Sequence, residues 1–173
     1  MAATRGLGKA GASILRSVLE WFNKALRPGL KQIGPAPPRA AITTGAKKSG
    51  PGAWRNVNEA MSPRARAYQA KVTGSSPNTA YVVNTVKFDG FDNGFLVEAK
   101  GPGYAHFIKN GEFAEWWLNT GGEAMLTQAR NQLKAANGTP IQWRVAEPEA
   151  VDAITKLLRR KRVTGIEVVH VPA

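Results

Sequence analysis

The sequence predicts an α/β fold: a mixed β-sheet core flanked by helices, preceded by a basic amphipathic helix and a linker. Three observations carry this. "TAYVVNTVKF" (79–88) and "GFLVEAKG" (94–101) are β-branched and aromatic runs separated by turn residues. After them, helical and strand patterns alternate down to a closing "GIEVVHVPA". The apolar fraction is 43%, normal for a globular chain, and no run of about 18 apolar residues exists to span a membrane as a helix.

From the N-terminus, "GASILRSVLEWFNKALRPG" places Ile14, Leu15, Val18, Leu19, Phe22 and Leu26 at helical spacing. Ser13 stands as N-cap and Pro28-Gly29 as the stop. Residues 1–33 therefore read as a basic amphipathic helical segment. Residues 34–52, rich in Pro and Gly, read as a linker. The domain proper is expected over 53–173. "SPRARAYQAKVTG" is a short helix capped by Ser62, opened by Pro63 and stopped at Gly74. "TAYVVNTVKF" and "GFLVEAKG" are strands joined through "GFDNG", and "GPGYAHFIKNG" is a loop. "EFAEWWLNTGGEAMLTQARNQLKAANG" is helical, broken around Gly121-Gly122. Strand "PIQWRVAE", helix "PEAVDAITKLLRRKR" and strand "GIEVVHVPA" complete the order.

Composition narrows the chemistry. There are no cysteines, so disulfides and thiolate metal sites are excluded. The two histidines, His106 and His170, lack metal-ligand spacing, which argues against zinc. The net charge of +12 calls for an anionic partner, nucleic acid first and a membrane surface second. Residues 1–50 hold nine of the 24 Lys/Arg against one acid, Glu20; the remaining fifteen face eleven acids, a net of +4. Most of the excess thus belongs to the leader.

The informative stretch is "KFDGFDNGFLVEAKG" (87–101). Side chains alternate along a strand, so Glu98 and Lys100 share one face about 6–7 Å apart. A hairpin brings Asp89 back beside Glu98. The apolar Phe95, Leu96 and Val97 point to a strand buried on both faces, where a Glu and a Lys are costly unless paired or coordinated. Two carboxylates on adjacent strands can hold a hard divalent ion such as Mg²⁺, with waters and substrate oxygens completing its shell. Such an ion stabilises charge on a phosphodiester, and a nearby lysine can orient water or neutralise developing charge. Asp92 is the alternative ligand, but its place in "GFDNG" suits a turn. On the next helix Gln128 and Gln132, four apart, share a face.

Asp89 followed by Glu98-Ala99-Lys100 resembles the D…ExK active site of the PD-(D/E)xK nucleases, a restriction-endonuclease-like fold in which Gln128 and Gln132 match a Q-x-x-x-Q on the following helix. "YQAKVTG", "FDG", "LVEAKGPGY", "QARNQ", "IQWRVAEP" and "GIEVVHVP" together resemble the restriction-endonuclease-fold toxin 5 family of bacterial polymorphic toxins, over about Tyr68 to Pro172. The resemblance implies a metal-dependent nuclease, acting on DNA more readily than RNA, with Mg²⁺ as cofactor and Mn²⁺ as substitute. It implies a secreted or injected effector, some of them delivered by type VI secretion, that acts in the cytoplasm of a target bacterium and is neutralised in the producer by a cognate immunity protein. Residue by residue, Asp89, Glu98 and the Ala99 backbone carbonyl would bind metal. Lys100 would be the catalytic lysine, with Gln128 and Gln132 in support.

Around these, Tyr104 and His106 in the loop after the ExK strand, and Arg130 on the glutamine helix, are candidate substrate contacts. Glu59 is a candidate further acid at the metal site. One of Trp116 and Trp117 is expected in the core, and "RRKR" (159–162) at a helix end. Residues 1–52 suggest a junction to an upstream delivery domain or secretion adaptor. Two other functions compete. A non-catalytic basic nucleic-acid-binding module has no use for two acids near its ligand, and a membrane-active toxin working through the N-terminal helix leaves the α/β domain without a role.

Overall fold

A computed structural model describes residues 50–76 and 78–173. The expected N-terminal helix, and the linker up to residue 49, lie outside the described residues. No helix among the described residues is long and apolar enough to cross a membrane.

The described residues open with a strand that the sequence does not announce, β1 (Ala53–Asn56). Helix α1 (Pro63–Thr73) starts and ends as its sequence predicts. Ser62 accepts a hydrogen bond from Ala65 N, Pro63 occupies the first turn, and Gly74 closes the helix at φ 62°. The run "TAYVVNTVKF" is not one strand. Asn84 and Thr85, both at positive φ, fold it into a hairpin of β2 (Thr79–Val83) and β3 (Val86–Phe88). These join β1 in a three-stranded antiparallel sheet.

A bend at Asp89 then carries the chain into the second sheet. Strands β4 (Gly90–Asp92) and β5 (Phe95–Lys100) form a hairpin across Asn93-Gly94, again with both residues at positive φ. The turn is therefore the last two residues of "GFDNG", and the first three belong to β4. A 3₁₀ turn (Tyr104–Phe107) and the short hairpin β6 (Ile108–Lys109) and β7 (Glu112–Phe113) replace the expected simple loop and the first residues of the expected helix.

Helix α2 (Glu115–Trp117) does not break at Gly121-Gly122. It widens through a π turn (Leu118–Gly122) into α3 (Glu123–Ala136). The glycines permit this because the Trp117 indole lies directly over Gly121; a Cβ there would sit 2.3 Å from it. Trp117 is fully buried, stacked on Phe113 at 4.2 Å and Phe107 at 5.5 Å, while Trp116 stays exposed. Strand β8 (Ile141–Val145), helix α4 (Pro148–Arg160) and strand β9 (Ile166–His170) follow in the predicted order.

The second sheet runs β4-β5-β8-β9, antiparallel in its first pairing and parallel in the other two. It is thus a mixed sheet with helices packed against it. Strands β5 and β8 are central, and their apolar residues Leu96, Val97, Ile141, Trp143 and Val145 are essentially inaccessible. Of these, Leu96, Ile141, Trp143 and Val145 join Met125, Leu126 and Ala129 of α3 and Ile154, Leu157 and Leu158 of α4 in the main core. A smaller cluster of Tyr68, Val72 and Ala146 anchors α1. Burial of this apolar surface is what fixes the central strand pair that carries the polar site.

Candidate active site

Five polar side chains of the described domain are buried: Gln69, Asp89, Glu98, Lys100 and Gln132. Four of them are sequence-predicted site residues. The central strand β5 supplies Glu98 and Lys100, whose side chains leave the sheet on the same side, toward α3. Lys100 Nζ lies 3.0 Å from Glu98 Oε1, with 0% and 2% of the respective side chains exposed. Burial on this scale costs several kcal/mol per ion unless geometry and further hydrogen bonds compensate. Here they do.

Helix α3 presents Gln128 and Gln132 to the pair. Gln128 accepts from Lys100 Nζ through Oε1 at 2.6 Å and donates through Nε2 to Glu98 Oε1 at 2.7 Å. Gln132 donates through Nε2 to Glu98 Oε2 at 2.7 Å. Its own Oε1 accepts from Trp143 Nε1 at 2.8 Å. Lys100 also sits 4.5 Å from the centre of the Trp143 ring. Both oxygens of Glu98 and the ammonium of Lys100 are thus satisfied inside a dry, cooperative network.

Asp89 arrives from the bend between the two sheets. Gly90 pairs with Val97, so one step along the same register places Asp89 opposite Glu98. Its Oδ2 accepts from Ala99 N at 2.7 Å, fixing the carboxylate over the middle of the ExK segment. Burial drives its pKa well above the ordinary aspartate value. The Glu98 charge pushes it further in the same direction, against the Ala99 hydrogen bond and the Lys100 charge, while Glu59 adds a smaller upward push. A cation beside these carboxylates would relieve that repulsion.

The donor set suits a hard divalent ion. Glu98 accepts three hydrogen bonds, fewer than the roughly four lone-pair positions of a carboxylate. Asp89 contributes a second carboxylate, and the Ala99 carbonyl is available from the same strand. No group of three or more His, Cys, Asp and Glu at metal-binding spacing occurs among the described residues. Two carboxylates and a carbonyl leave the rest of the shell to water and substrate oxygens, which is how Mg²⁺ is usually held.

The remaining candidates separate. Tyr104 is buried beside the network, its ring edge-on to Trp117 at 6.3 Å, and burial with the Glu98 and Asp89 charges raises its hydroxyl pKa. His106 is exposed on the 3₁₀ turn. Arg130 is exposed and lies two residues from each glutamine, on the far side of α3 from the network. Asp92 points away from Glu98 and is held by Arg144 at 2.8 Å. Arg144 also donates to Gln142 at 2.8 Å and to the Val72 carbonyl, tying β8 to α1. Glu59 is paired with Lys87 rather than turned fully to Asp89.

Two residues without a role in the sequence reading join the site. Trp143 stands next to Glu98 in the parallel ladder. Glu147 clamps the loop after β5, accepting from Gly103 N at 3.0 Å and Ala105 N at 2.9 Å, and so holds Tyr104 in place. Both stood inside "IQWRVAEP", but only the β5–β8 register brings them to Glu98 and to the loop.

No curated protein matches the chain. The family model described as restriction endonuclease fold toxin 5 matches residues 65–148, from α1 through β8 to the first residue of α4. That interval contains Asp89, Glu98, Lys100, Gln128, Gln132 and Trp143; the closing "GIEVVHVP" strand lies beyond it. Over residues 65–148 this chain is therefore similar to the restriction endonuclease fold toxin 5 family.

Proposed function

We propose that the domain is a metal-dependent nuclease toxin that hydrolyses phosphodiester bonds, with DNA as its preferred substrate. The observation that supports this best is the buried Glu98–Lys100 pair, spanned by Gln128 and Gln132, with Asp89 fixed over Ala99. A pair this dry and this fully hydrogen-bonded is expensive to assemble for stability alone, because hydrophobic residues of similar volume do as well or better. A carboxylate perturbed as Asp89 is, set beside a second carboxylate and a lysine, is instead what a site for anionic chemistry needs.

In this reading Asp89, Glu98 and the Ala99 carbonyl hold Mg²⁺, with Mn²⁺ as a substitute. When bound, the ion supplies charge neutralisation at the phosphodiester. Lys100, held at a fixed position by Glu98 and Gln128, orients the attacking water and offsets charge developing on the phosphate. Gln128 and Gln132 keep the Glu98 carboxylate in one orientation. Tyr104 closes the mouth beside the carboxylates and excludes bulk water, with Glu147 fixing its loop. His106 and Arg130 are candidate contacts to more distant parts of the nucleic acid.

A nuclease toxin of this family acts as a secreted or injected effector in the cytoplasm of a target bacterium. A cognate immunity protein protects the producer, and residues 1–52 serve as the junction to a delivery domain or adaptor. The test is incubation of the purified chain with plasmid DNA and with RNA, in Mg²⁺ and in EDTA. The proposal expects cleavage in Mg²⁺, faster on DNA, abolished by EDTA and by Glu98→Ala. Equal cleavage in EDTA would falsify the metal assignment.

A further inference from the structure

We propose that Trp143 is a positioning residue for the Glu98–Lys100 pair, acting through the Gln132 amide and through its own ring; this rests on the nuclease reading of the site. Donor and acceptor inventory decides how the Gln132 amide sits. A side-chain amide can be placed in two orientations that differ only by exchange of its oxygen and nitrogen. In one, Gln132 offers an N–H to Glu98; in the other it offers a lone pair to a carboxylate, which repels it. An indole N–H is a donor and cannot accept. Trp143 Nε1 at 2.8 Å from Gln132 Oε1 therefore fixes the oxygen on its own side and forces Nε2 toward Glu98 Oε2, 2.7 Å away.

The same logic holds for the other glutamine. Lys100, also a pure donor, fixes Gln128 Oε1 and so turns Gln128 Nε2 onto Glu98 Oε1. Glu98 is thus oriented from both sides, by one donor-only residue through each glutamine. Trp143 contributes twice, because its ring also lies 4.5 Å from Lys100 Nζ. Its position on the strand permits both contacts: it is the parallel ladder neighbour of Glu98 and leaves the sheet on the same side. Trp143 is fully buried, so neither contact competes with water.

Phenylalanine at 143 keeps a ring but removes the N–H, leaving the Gln132 amide free to turn. Removing an outer-shell orienting partner of a metal ligand typically costs about 10–100-fold in metal affinity or activity. The experiment is a double-mutant cycle of Trp143→Phe and Gln132→Leu in the full chain. It is read by calorimetric titration with Mn²⁺ and by hydrogen exchange of the Trp143 indole N–H. Expected are a loss of about 10–100-fold in Mn²⁺ affinity for each single variant and no further loss on combining them. The indole N–H, protected in the parent, should exchange faster in Gln132→Leu.

Additive losses, or a Trp143→Phe protein with parental Mn²⁺ affinity, would overturn the proposal by reducing Trp143 to a packing residue. If Trp143→Phe fails to fold, Gln132→Leu decides alone: parental Mn²⁺ affinity or unchanged indole exchange overturns it. A parent chain that takes up no Mn²⁺ contradicts the metal reading, while the indole exchange still tests the Trp143–Gln132 link.

Discussion

Glu98 and Lys100, two residues apart on a central strand, form an ion pair whose two side chains are both essentially removed from solvent. Strand alternation puts them on one face, and the packing of α3 against that face closes the pair off. Removing one partner leaves the other charge buried, a cost of about 3–5 kcal/mol. Lys100→Met and Glu98→Gln are therefore both expected to be strongly destabilised, the second also because its amide nitrogen would meet only donors from Gln128, Gln132 and Lys100. The double variant Glu98→Gln/Lys100→Met should be more stable than the sum of the two losses predicts. Urea unfolding of the four proteins checks this; simple additivity would mean that the two charges do not support each other.

Asp89 carries a pKa raised chiefly by burial and next by the Glu98 charge. The folded state of the metal-free protein thus binds this proton more tightly than the unfolded chain. The stability this gives is complete below the ordinary aspartate value and is lost as pH rises through the elevated one. In EDTA at neutral pH, Asp89→Asn should consequently melt higher than the parent, since its amide oxygen can still accept from Ala99 N. The difference should shrink toward acid pH and reverse in saturating Mg²⁺. Melting curves across pH with EDTA or Mg²⁺ test it, and a lower melting temperature for Asp89→Asn in EDTA at neutral pH would contradict it.

Asp92 separates from Asp89 by where it points. Its carboxylate is part-exposed and paired with Arg144, so Asp92→Ala should cost below about 1 kcal/mol. Cleavage and Mn²⁺ affinity should stay near parental. A hundredfold loss of either would move the metal ligand from Asp89 to Asp92.

Gly121 marks the π turn. A methyl group there meets the Trp117 indole at 2.3 Å, and overpacking of this kind costs about 1–3 kcal/mol. Gly121→Ala should lower stability by that amount. The cost should fall when Trp117→Phe is added, because the smaller ring vacates the space. Denaturant titration of the cycle reads the coupling.

Much of this site was legible in sequence because the features involved are local. Alternation alone placed Glu98 beside Lys100, a spacing of four placed Gln128 beside Gln132, and Ser62, Pro63 and Gly74 bounded α1 as their backbone preferences require. What escaped reading was partly local backbone and packing detail and partly contacts between partners distant in sequence. Asn84-Thr85 folded a continuous β-branched run into two strands, a positive-φ pair that Thr85 only weakly signals. Gly121-Gly122 read as a helix break because glycine weakens helices, whereas the Trp117 indole uses the missing side chains to keep the helix running. Trp143 and Glu147 gained roles only through the parallel register between β5 and β8, which neither strand's sequence encodes by itself. Arg130 lies close to the glutamines in sequence, but helical periodicity turns it to the opposite side of α3.

The nuclease reading requires that Lys100, held by Glu98 and Gln128, act in phosphodiester hydrolysis. It is tested most directly by the initial rate of plasmid cleavage in Mg²⁺ for the parent and for Lys100→Met, with folding of the variant verified by circular dichroism. Expected is a variant that is less stable than the parent but folded at the assay temperature, and that still binds DNA but cleaves it at least about 100-fold more slowly, the range lost with one positioned electrostatic group. A folded Lys100→Met protein cleaving at the parental rate would contradict it.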